Sequence, residues 1–295
     1  MLNIQTYKKV ESLDEAYELN KKKANRIIGG MMWMRMGETR IQTAIDLSGL
    51  GLDTIEENQQ EFKIGCMTTL RQLEQHEGFN KYTCNMAKES LRHIVGVQFR
   101  NMATVGGSIY GRYGFSDVLT LFLALDTYVE LYKGGIVPLE EFAGSAYDND
   151  IIVAIIVKKH DINVFYEAVR ITQTDLPVLT CCASRDLKDN SCNVVIGARP
   201  GRAMRVKDTN NILSEIVSRN DNISNDIVCN KDEKENIENN TSADIDINER
   251  IDKFAKYAKE TVPTQSNMRG SAEYRSHLTE VLVKRALEQL FINKD

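Results

Sequence analysis

The chain has 295 residues, of which 42% are hydrophobic and 27% are charged, so it is long enough for two domains with apolar cores. Its 37 Lys and Arg against 42 Asp and Glu leave a formal charge of −5, which excludes a broad basic surface for nucleic acid. No apolar run of about 18 residues occurs, and the first residues lack the apolar centre of a signal peptide. We therefore expect a soluble, cytoplasmic protein that binds no membrane.

Cysteine and histidine are scattered through the chain. The six Cys and four His form no CxxC, and apart from the adjacent Cys181 and Cys182 they lie far apart in the sequence. Structural zinc and iron–sulfur sites generally use closely spaced ligands of these types. We therefore expect no metal site here, and we interpret the cysteines as small buried residues in a reducing compartment.

Strands and helices alternate in the first part of the chain. The predicted strands cover residues 3–9, 26–28, 43–47 and 61–67. Two predicted helices begin at capping boxes, the first formed by Ser12 with Glu15 and the second by Thr69 with Gln72. A third predicted helix covers residues 85–95.

Residues 98–131 contain the densest pattern of the chain. Gly106 and Gly107 are predicted to follow a short strand and to open a glycine-rich loop that runs to Gly114. Ser116 then caps an almost wholly apolar helix, which leads into a strand with the sequence TYVELY. Such a helix is typical of a buried core.

Beyond about residue 157, strands come first and helices last. The predicted strands have the sequences INVFYEAVR, LPVLTCCASRDL and CNVVIGARPG, and the predicted helices lie near residues 208–219, 249–261 and 271–291. This order predicts an α+β domain with helices on one face of an antiparallel sheet. Residues 220–248 are rich in polar residues, and we interpret them as a solvated, mobile insertion, with an acidic docking segment as the alternative.

Two glycine pairs, Gly29-Gly30 and Gly106-Gly107, are the main candidate site. Each pair is predicted to follow a strand, where consecutive backbone N–H groups can surround a phosphate that approaches without a Cβ in its way. A tight turn is the alternative for either pair. Since the chain has no GxGxxG, GxxxxGK[ST], GxSxG or HExxH motif, any difficult chemistry would need a cofactor.

The sequence RNMATVGGSI, followed by Ser116-Asp117 and LTLFLALDTYVEL, resembles the FAD-binding subunit of the molybdopterin-dependent hydroxylases, the xanthine dehydrogenase and carbon monoxide dehydrogenase family. IIGGMMWMRM with AIDLSGL resembles the first flavin loop of that family, and residues 271–287 resemble its C-terminal helix. The resemblance implies an α+β chain with a two-part FAD-binding domain of the vanillyl-alcohol oxidase-like type over 1–160, divided near 55–60. A small α/β domain with an antiparallel sheet and helices would follow over 161–295.

The resemblance also implies an electron-transfer role. In such assemblies a molybdenum-binding subunit with molybdopterin oxidises the substrate, and an iron–sulfur subunit relays electrons through [2Fe-2S] clusters. FAD in the present chain would pass them to a soluble acceptor such as NAD. The scattered cysteines agree with this division of cofactors, and a stand-alone flavin oxidase would lack a candidate substrate base.

Thirteen positions match the flavin-binding segments of the family. The first pyrophosphate loop would contain Ile28, Gly29, Gly30, Met31 and Met32, and the second would contain Thr104, Val105, Gly106, Gly107 and Ser108. Asp117, helped by Ser116, would hydrogen-bond the polar part of the cofactor. Arg170 matches a basic position near the flavin, with a surface salt bridge as the alternative.

Met31 and Met32 depart from the family, which commonly has Thr-Asp after the glycines. We interpret these methionines as packing residues, and their lack of a hydroxyl leaves open a scaffold subunit with weakened or lost flavin binding. Trp33, the only tryptophan, is predicted to anchor the same loop. Tyr110 and Tyr113 would shield the edge of the flavin, with simple packing as the alternative.

Overall fold

The structure, a computed structural model, describes residues 2–213 and 235–292. The described strands are β1 (Asn3–Lys9), β2 (Arg26–Ile28), β3 (Arg40–Asp46), β4 (Ile55–Glu57), β5 (Glu61–Gly65), β6 (Thr127–Leu131), β7 (Gly135–Pro138), β8 (Ile152–Lys158), β9 (Ile162–Val169), β10 (Leu179–Asp186), β11 (Cys192–Gly197) and β12 (Met204–Arg205). The described helices are α1 (Leu13–Asn20), α2 (Leu70–Gln75), α3 (Glu77–Tyr82), α4 (Met86–Arg92), α5 (Val97–Arg100), α6 (Val105–Gly111), α7 (Asp117–Ala124), α8 (Leu139–Gly144), α9 (Glu235–Thr261) and α10 (Ala272–Phe291). The predicted α+β class is confirmed.

A parallel sheet of order β1-β3-β2 begins the fold. Ser12 caps α1, as predicted, by accepting a hydrogen bond from the N–H of Glu15. The second half of the predicted capping box is wrong, because the Glu15 carboxylate accepts from the N–H of Glu11 instead of Ser12. Both strands that flank β3 run parallel to it, so the loops after β2 and β3 leave the sheet on the same side.

An antiparallel sheet of order β4-β5-β8-β6-β7 follows. Its central strand β8 is a nearly continuous apolar run that no prediction had assigned, and most of its residues are buried. The predicted capping box of α2 is confirmed, since Thr69 and Gln72 each bond the backbone N–H of the other. The Ser116 cap of α7 is confirmed as well, and every residue of α7 is buried.

The third sheet, of order β12-β11-β10-β9, is also antiparallel. Alternate side chains of β10 point to opposite faces. Leu179, Cys181 and Ala183 join the apolar cluster of α9 and α10. Thr180 hydrogen-bonds Thr120 of α7, at 3.1 Å between the hydroxyl oxygens. The sheet is therefore covered on both faces, whereas the sequence predicted helices on one.

Two predicted elements differ from the structure, and a third lies partly outside the described residues. The segment before Gly106 is helix α5, not a strand, because Arg100 turns inward and binds Glu74 of α2. Residues 235–248 are helical, as the first half of α9, and their predicted mobility stays a prediction, while residues 220–234 lie outside the described residues. Of the predicted helix 208–219, residues 212–213 are helical and residues from 214 onward lie outside the described part of the chain. Among the described helices, none is long and apolar enough to cross a membrane.

Candidate flavin site

A cavity of about 380 Å³, here called the large cavity, opens beside the end of β2. This volume is in the range of small-molecule sites. The predicted site residues that line it are Gly29, Gly30, Met31, Met32, Thr104, Gly106, Gly107 and Ser108. Ile28 and Val105 are buried behind its wall and do not line it.

The first glycine loop, residues 29–32, lies in the wall of this cavity. Among the residues that the structure describes, no acceptor hydrogen-bonds the backbone N–H groups of residues 29–32. Met31 has a φ of 55°, and this left-handed conformation turns the chain within the loop. Successive N–H groups around such a turn can converge on an anion. This loop can therefore bind a phosphate group through its backbone.

The two glycine segments contact each other directly. A Cβ on Gly30 would lie 1.6 Å from the carbonyl oxygen of Met102, and a Cβ on Gly29 would lie 2.6 Å from Oγ1 of Thr104. Glycine is needed at these positions because the first loop packs against the backbone that precedes the second pair. The close approach brings both predicted loops to one wall of the cavity.

The sequence predicted that the N–H groups of the second glycine pair are free to bind a phosphate. This prediction is wrong, because the pair forms the first turn of α6. The N–H of Gly106 donates to the carbonyl oxygen of Cys66 at 3.0 Å, and the N–H of Gly107 donates to Oγ1 of Thr104 at 3.2 Å. The N–H groups of Val105 and Ser108 also donate to protein carbonyl oxygens. The hydroxyl oxygen of Thr104 accepts the hydrogen bond that caps α6. Its hydroxyl hydrogen is therefore the donor that this segment can offer a ligand.

Charge in the large cavity comes from Arg26 and Asp150. The carboxylate of Asp150 is already occupied by the N–H groups of Lys133, Gly134 and Ile151. Arg26 is exposed and donates to the carbonyl oxygens of Lys23 and Asn25, and no carboxylate of the described residues forms an ion pair with it. Sequence reasoning missed Arg26, although its place on β2, three residues before Gly29, was a usable signal.

The methionines after the glycines pack as predicted. Met31 and Met34 lie against a small cluster that contains Ile28 and Ile41, and Met32 lies against the main core. Burial raises the pKa of the nearby Cys66 thiol to about 12, so this lining residue is neutral. The wall around the first glycine loop is therefore largely apolar.

Trp33, which lines the cavity, is the centre of an aromatic cluster. Its ring centroid lies 4.8 Å from that of Phe115, 5.5 Å from that of Phe99 and 6.1 Å from that of Tyr113. These contacts agree with the predicted anchoring of the loop. Tyr110 and Tyr113 line the large cavity, and their predicted role as a shield for the flavin stays a prediction.

Ser116, Asp117 and Arg170 lie elsewhere, around a second cavity of about 30 Å³, here called the small cavity. The Arg170 guanidinium lies 2.6 Å from Oδ1 of Asp117, and the Tyr166 hydroxyl donates to the same oxygen at 2.5 Å. Asp117 is thus held by protein groups, and the pair is buried, which corrects the alternative of a surface salt bridge for Arg170. Burial raises the pKa of Asp117, and the charge of Arg170 offsets only part of this shift.

Arg170 also carries an unsatisfied donor. Its Nη1 donates to the carbonyl oxygen of Asp175 at 2.6 Å, but its buried Nε has no hydrogen-bond partner within the described part of the chain. A buried guanidinium N–H without an acceptor is costly, and it marks a place where a polar atom of a ligand would be stabilised. This observation fits a site that is completed by a bound molecule.

Two family models match this chain. The FAD-binding domain in molybdopterin dehydrogenase matches residues 2–159, and the C-terminal domain of the CO dehydrogenase flavoprotein matches residues 244–290. The uncharacterized protein YgfM of Escherichia coli (strain K12) is 22% identical over 284 residues, which cover 95% of this chain and 94% of the relative.

Solved structures share the fold. Carbon monoxide dehydrogenase from Hydrogenophaga pseudoflava, in a form that lacks the Mo-pyranopterin moiety of the molybdenum cofactor, matches with a TM-score of 0.76 at 20% identity, over 97% of this chain and 96% of that chain. Quinoline 2-oxidoreductase from Pseudomonas putida 86 matches with a TM-score of 0.76 at 16% identity, over the same shares. Reconstituted CO dehydrogenase from Oligotropha carboxidovorans matches with a TM-score of 0.75 at 19% identity, over 98% of this chain and 97% of that chain.

Proposed function

This chain belongs to the family of FAD-binding domains of molybdopterin dehydrogenases, and we propose that it is the FAD-carrying electron-transfer subunit of a cytoplasmic molybdenum hydroxylase complex. In this proposal a molybdenum-binding subunit with molybdopterin oxidises the substrate, and an iron–sulfur subunit with [2Fe-2S] clusters delivers the electrons. FAD supplies the ability to collect electrons and pass them to a soluble acceptor such as NAD. The similarity to a carbon monoxide dehydrogenase with a molybdenum cofactor supports the assignment of such partners.

The domain division proposed from the sequence goes with this function. The parallel sheet ends at Asp46 and the next sheet begins at Ile55, which supports a boundary between two parts of the FAD-binding domain near 55–60. The third sheet begins at Ile162, which supports a FAD-binding domain over 1–160 and a second domain over 161–295. The large cavity is lined only by residues of the first of these domains.

The observation that carries the proposal is the run of N–H groups at residues 29–32, in the wall of the large cavity, that have no acceptor among the described residues. These groups would hold the pyrophosphate of FAD, and Arg26 would compensate its negative charge. The Thr104 hydroxyl would donate a further hydrogen bond. The buried apolar side chains of Leu47 and Ile151 would keep water away from the bound cofactor.

The proposal is tested by the FAD content of the purified chain. Wild-type protein should show a flavin spectrum with about one FAD per chain, or should take up FAD when it is added. Arg26→Gln should weaken FAD binding by about fivefold to tenfold, because a charge-assisted contact to phosphate is lost. Arg40→Gln is the matched control, since Arg40 is an exposed cation of the same sheet that does not line the cavity.

A second candidate is a scaffold subunit that keeps the fold without useful flavin binding. The observation that favours it is the use of all four N–H groups of residues 105–108 by protein acceptors, which leaves the first loop as the main source of free amides. A colourless wild-type chain that takes up no FAD at micromolar concentration would support this candidate. If Arg26→Gln binds FAD as tightly as wild type does, Arg26 does not compensate the charge of the pyrophosphate.

A further inference from the structure

Trp33 lies between two cavities that divide the predicted flavin-binding residues between them. The glycine loops line the large cavity, whereas Ser116, Asp117 and Arg170 line the small one. Three residues line both cavities, namely Trp33, Ser108 and Tyr113. The side chains of these three residues therefore form the partition, and the indole of Trp33 is the largest of them.

The small cavity is too small for a ring system while the partition is in place. Its volume of about 30 Å³ is roughly that of one water molecule. No aromatic ring system fits into such a space. A single molecule can reach both the first glycine loop and the polar atoms around Arg170 only if the partition moves and the two cavities join.

The contacts that hold Trp33 are ones that can be broken and remade. Its ring packs against Phe99, Tyr113 and Phe115 in tilted or edge-on geometry, and its indole N–H has no hydrogen-bond partner among the described residues. Such aromatic pairs are individually weak. By contrast, Gly30 is fixed against the carbonyl of Met102. A movement confined to the Trp33 side chain and the chain that follows it would therefore leave the N–H groups of residues 29–32 in place.

The backbone around Trp33 is suited to a second conformation. Met31, two residues earlier, has a φ of 55°, which is unfavourable for a residue with a side chain. Met36, three residues later, is 68% exposed and ends a short 3₁₀ turn, Met34–Met36. The segment that carries Trp33 thus lies between a strained position and a weakly packed one.

We propose that Trp33 is a gate for the flavin half of FAD. The gate is closed in the free chain, and it swings away from Phe115 when FAD enters, so that the two cavities become one site. This inference rests on the proposed function that the chain binds FAD. ADP has the pyrophosphate of FAD without the flavin, so it fits the large cavity while the gate stays closed. Trp33 therefore controls binding of FAD and not binding of ADP.

The test compares FAD and a fluorescent N-methylanthraniloyl derivative of ADP by stopped-flow mixing with the flavin-free full chain. For wild type, the observed rate of FAD binding should reach a plateau as FAD increases, because gate opening becomes limiting. Trp33→Ala should abolish the plateau and raise the rate at high FAD by about tenfold, and Trp33→Phe should give an intermediate rate. The rate with the ADP derivative should rise linearly with its concentration and change by less than about twofold among the three proteins, because Trp33 forms only part of the wall of the large cavity.

Met36→Ala is the matched control, because Met36 belongs to the same segment but lines neither cavity. It should behave like wild type with both ligands. A linear FAD dependence in wild type, or an equal acceleration of FAD and the ADP derivative in Trp33→Ala, overturns the gate and leaves the proposed function intact. Binding of the ADP derivative with no FAD uptake by wild type or by either Trp33 variant overturns both the gate and the proposed function.

Discussion

Arg170 and Asp117 form a buried ion pair that connects the start of α7 to the end of β9. Nη2 of Arg170 lies 2.6 Å from Oδ1 of Asp117, and the two side chains are 7% and 5% exposed. Each of these residues was matched to the flavin site through the family resemblance, and here they bind one another. The pair therefore contributes to the shape of the fold as well as to the wall of the small cavity.

Arg170→Met should destabilise the chain by about 3–5 kcal/mol at pH 7.5, because it leaves the Asp117 carboxylate buried without a counter-charge. Burial already raises the pKa of Asp117, and loss of the guanidinium raises it further. When the pKa of a carboxyl is raised in the folded state, the protein becomes less stable as pH rises above the pKa of the unfolded state, which is about 3.9. The difference in unfolding free energy between wild type and Arg170→Met, measured with urea, should therefore shrink as pH falls from 7.5 to 5.

The double variant Arg170→Met, Asp117→Asn is the control for this prediction. It removes the charge that the single variant leaves unpaired, so it should recover part of the lost stability. If the single and double variants are equally unstable at every pH, the loss comes from packing and not from the charge of Asp117.

Local signals predicted much of the fold. The Thr69–Gln72 capping box and the Ser116 cap act within three residues, so they can be found in the sequence alone. Helices α5 and α6 could not be found from the sequence alone, because they depend on contacts with residues far away in the chain. Arg100 of α5 binds Glu74, and the N–H of Gly106 in α6 bonds Cys66.

The candidate site was predicted only in part for a similar reason. The glycine pairs indicated a phosphate site, but the packing of Gly30 on Met102 joins segments 72 residues apart (102 − 30), and no local pattern shows that contact. The resemblance named Asp117 and Arg170 without indicating that they bind each other. The partition by Trp33 depends on rings from three separate segments, so only the folded chain shows it.

Substitution of three glycines by alanine should give graded losses of stability. Gly30→Ala should cost about 3 kcal/mol or more, since its Cβ would lie 1.6 Å from a backbone oxygen that cannot easily move. Gly29→Ala should cost less, because its Cβ would meet the side chain of Thr104 at 2.6 Å. Gly144→Ala, with nothing within 4 Å, should be neutral or stabilising. Urea unfolding of the three variants would refute the packing contact if Gly30→Ala and Gly144→Ala were equally stable.

Glu74→Gln should destabilise the chain by about 3–5 kcal/mol at pH 7, because it breaks the buried pair with Arg100. Burial acts to raise the pKa of Glu74, but hydrogen bonds from Arg100 and Arg71 outweigh it and lower that pKa. A carboxyl with a lowered pKa stabilises the fold above its unfolded value of about 4.3, and this stability is lost as pH falls through the folded value. The difference in unfolding free energy between wild type and variant should therefore be constant from pH 7 to 5 and should shrink below about pH 4.

The control for Glu74 is Glu141→Gln, since Glu141 is an exposed carboxylate in α8. It should match wild type within about 0.5 kcal/mol at every pH. If Glu74→Gln is less stable than wild type by the same free energy at pH 3 as at pH 7, the change in shape of the side chain, and not its charge, explains the lost stability.

Thr104→Val should separate the two roles of the Thr104 hydroxyl. Valine keeps the shape of the side chain but cannot cap α6, so the loss of the bond from the N–H of Gly107 should cost about 1 kcal/mol in urea unfolding. The same change removes a donor from the wall of the large cavity, and FAD binding should weaken by about fivefold. Thr104→Ser keeps the hydroxyl and should restore both stability and FAD binding. If Thr104→Val loses stability but binds FAD as wild type does, the hydroxyl serves only as a helix cap, and the first glycine loop holds the phosphates without it.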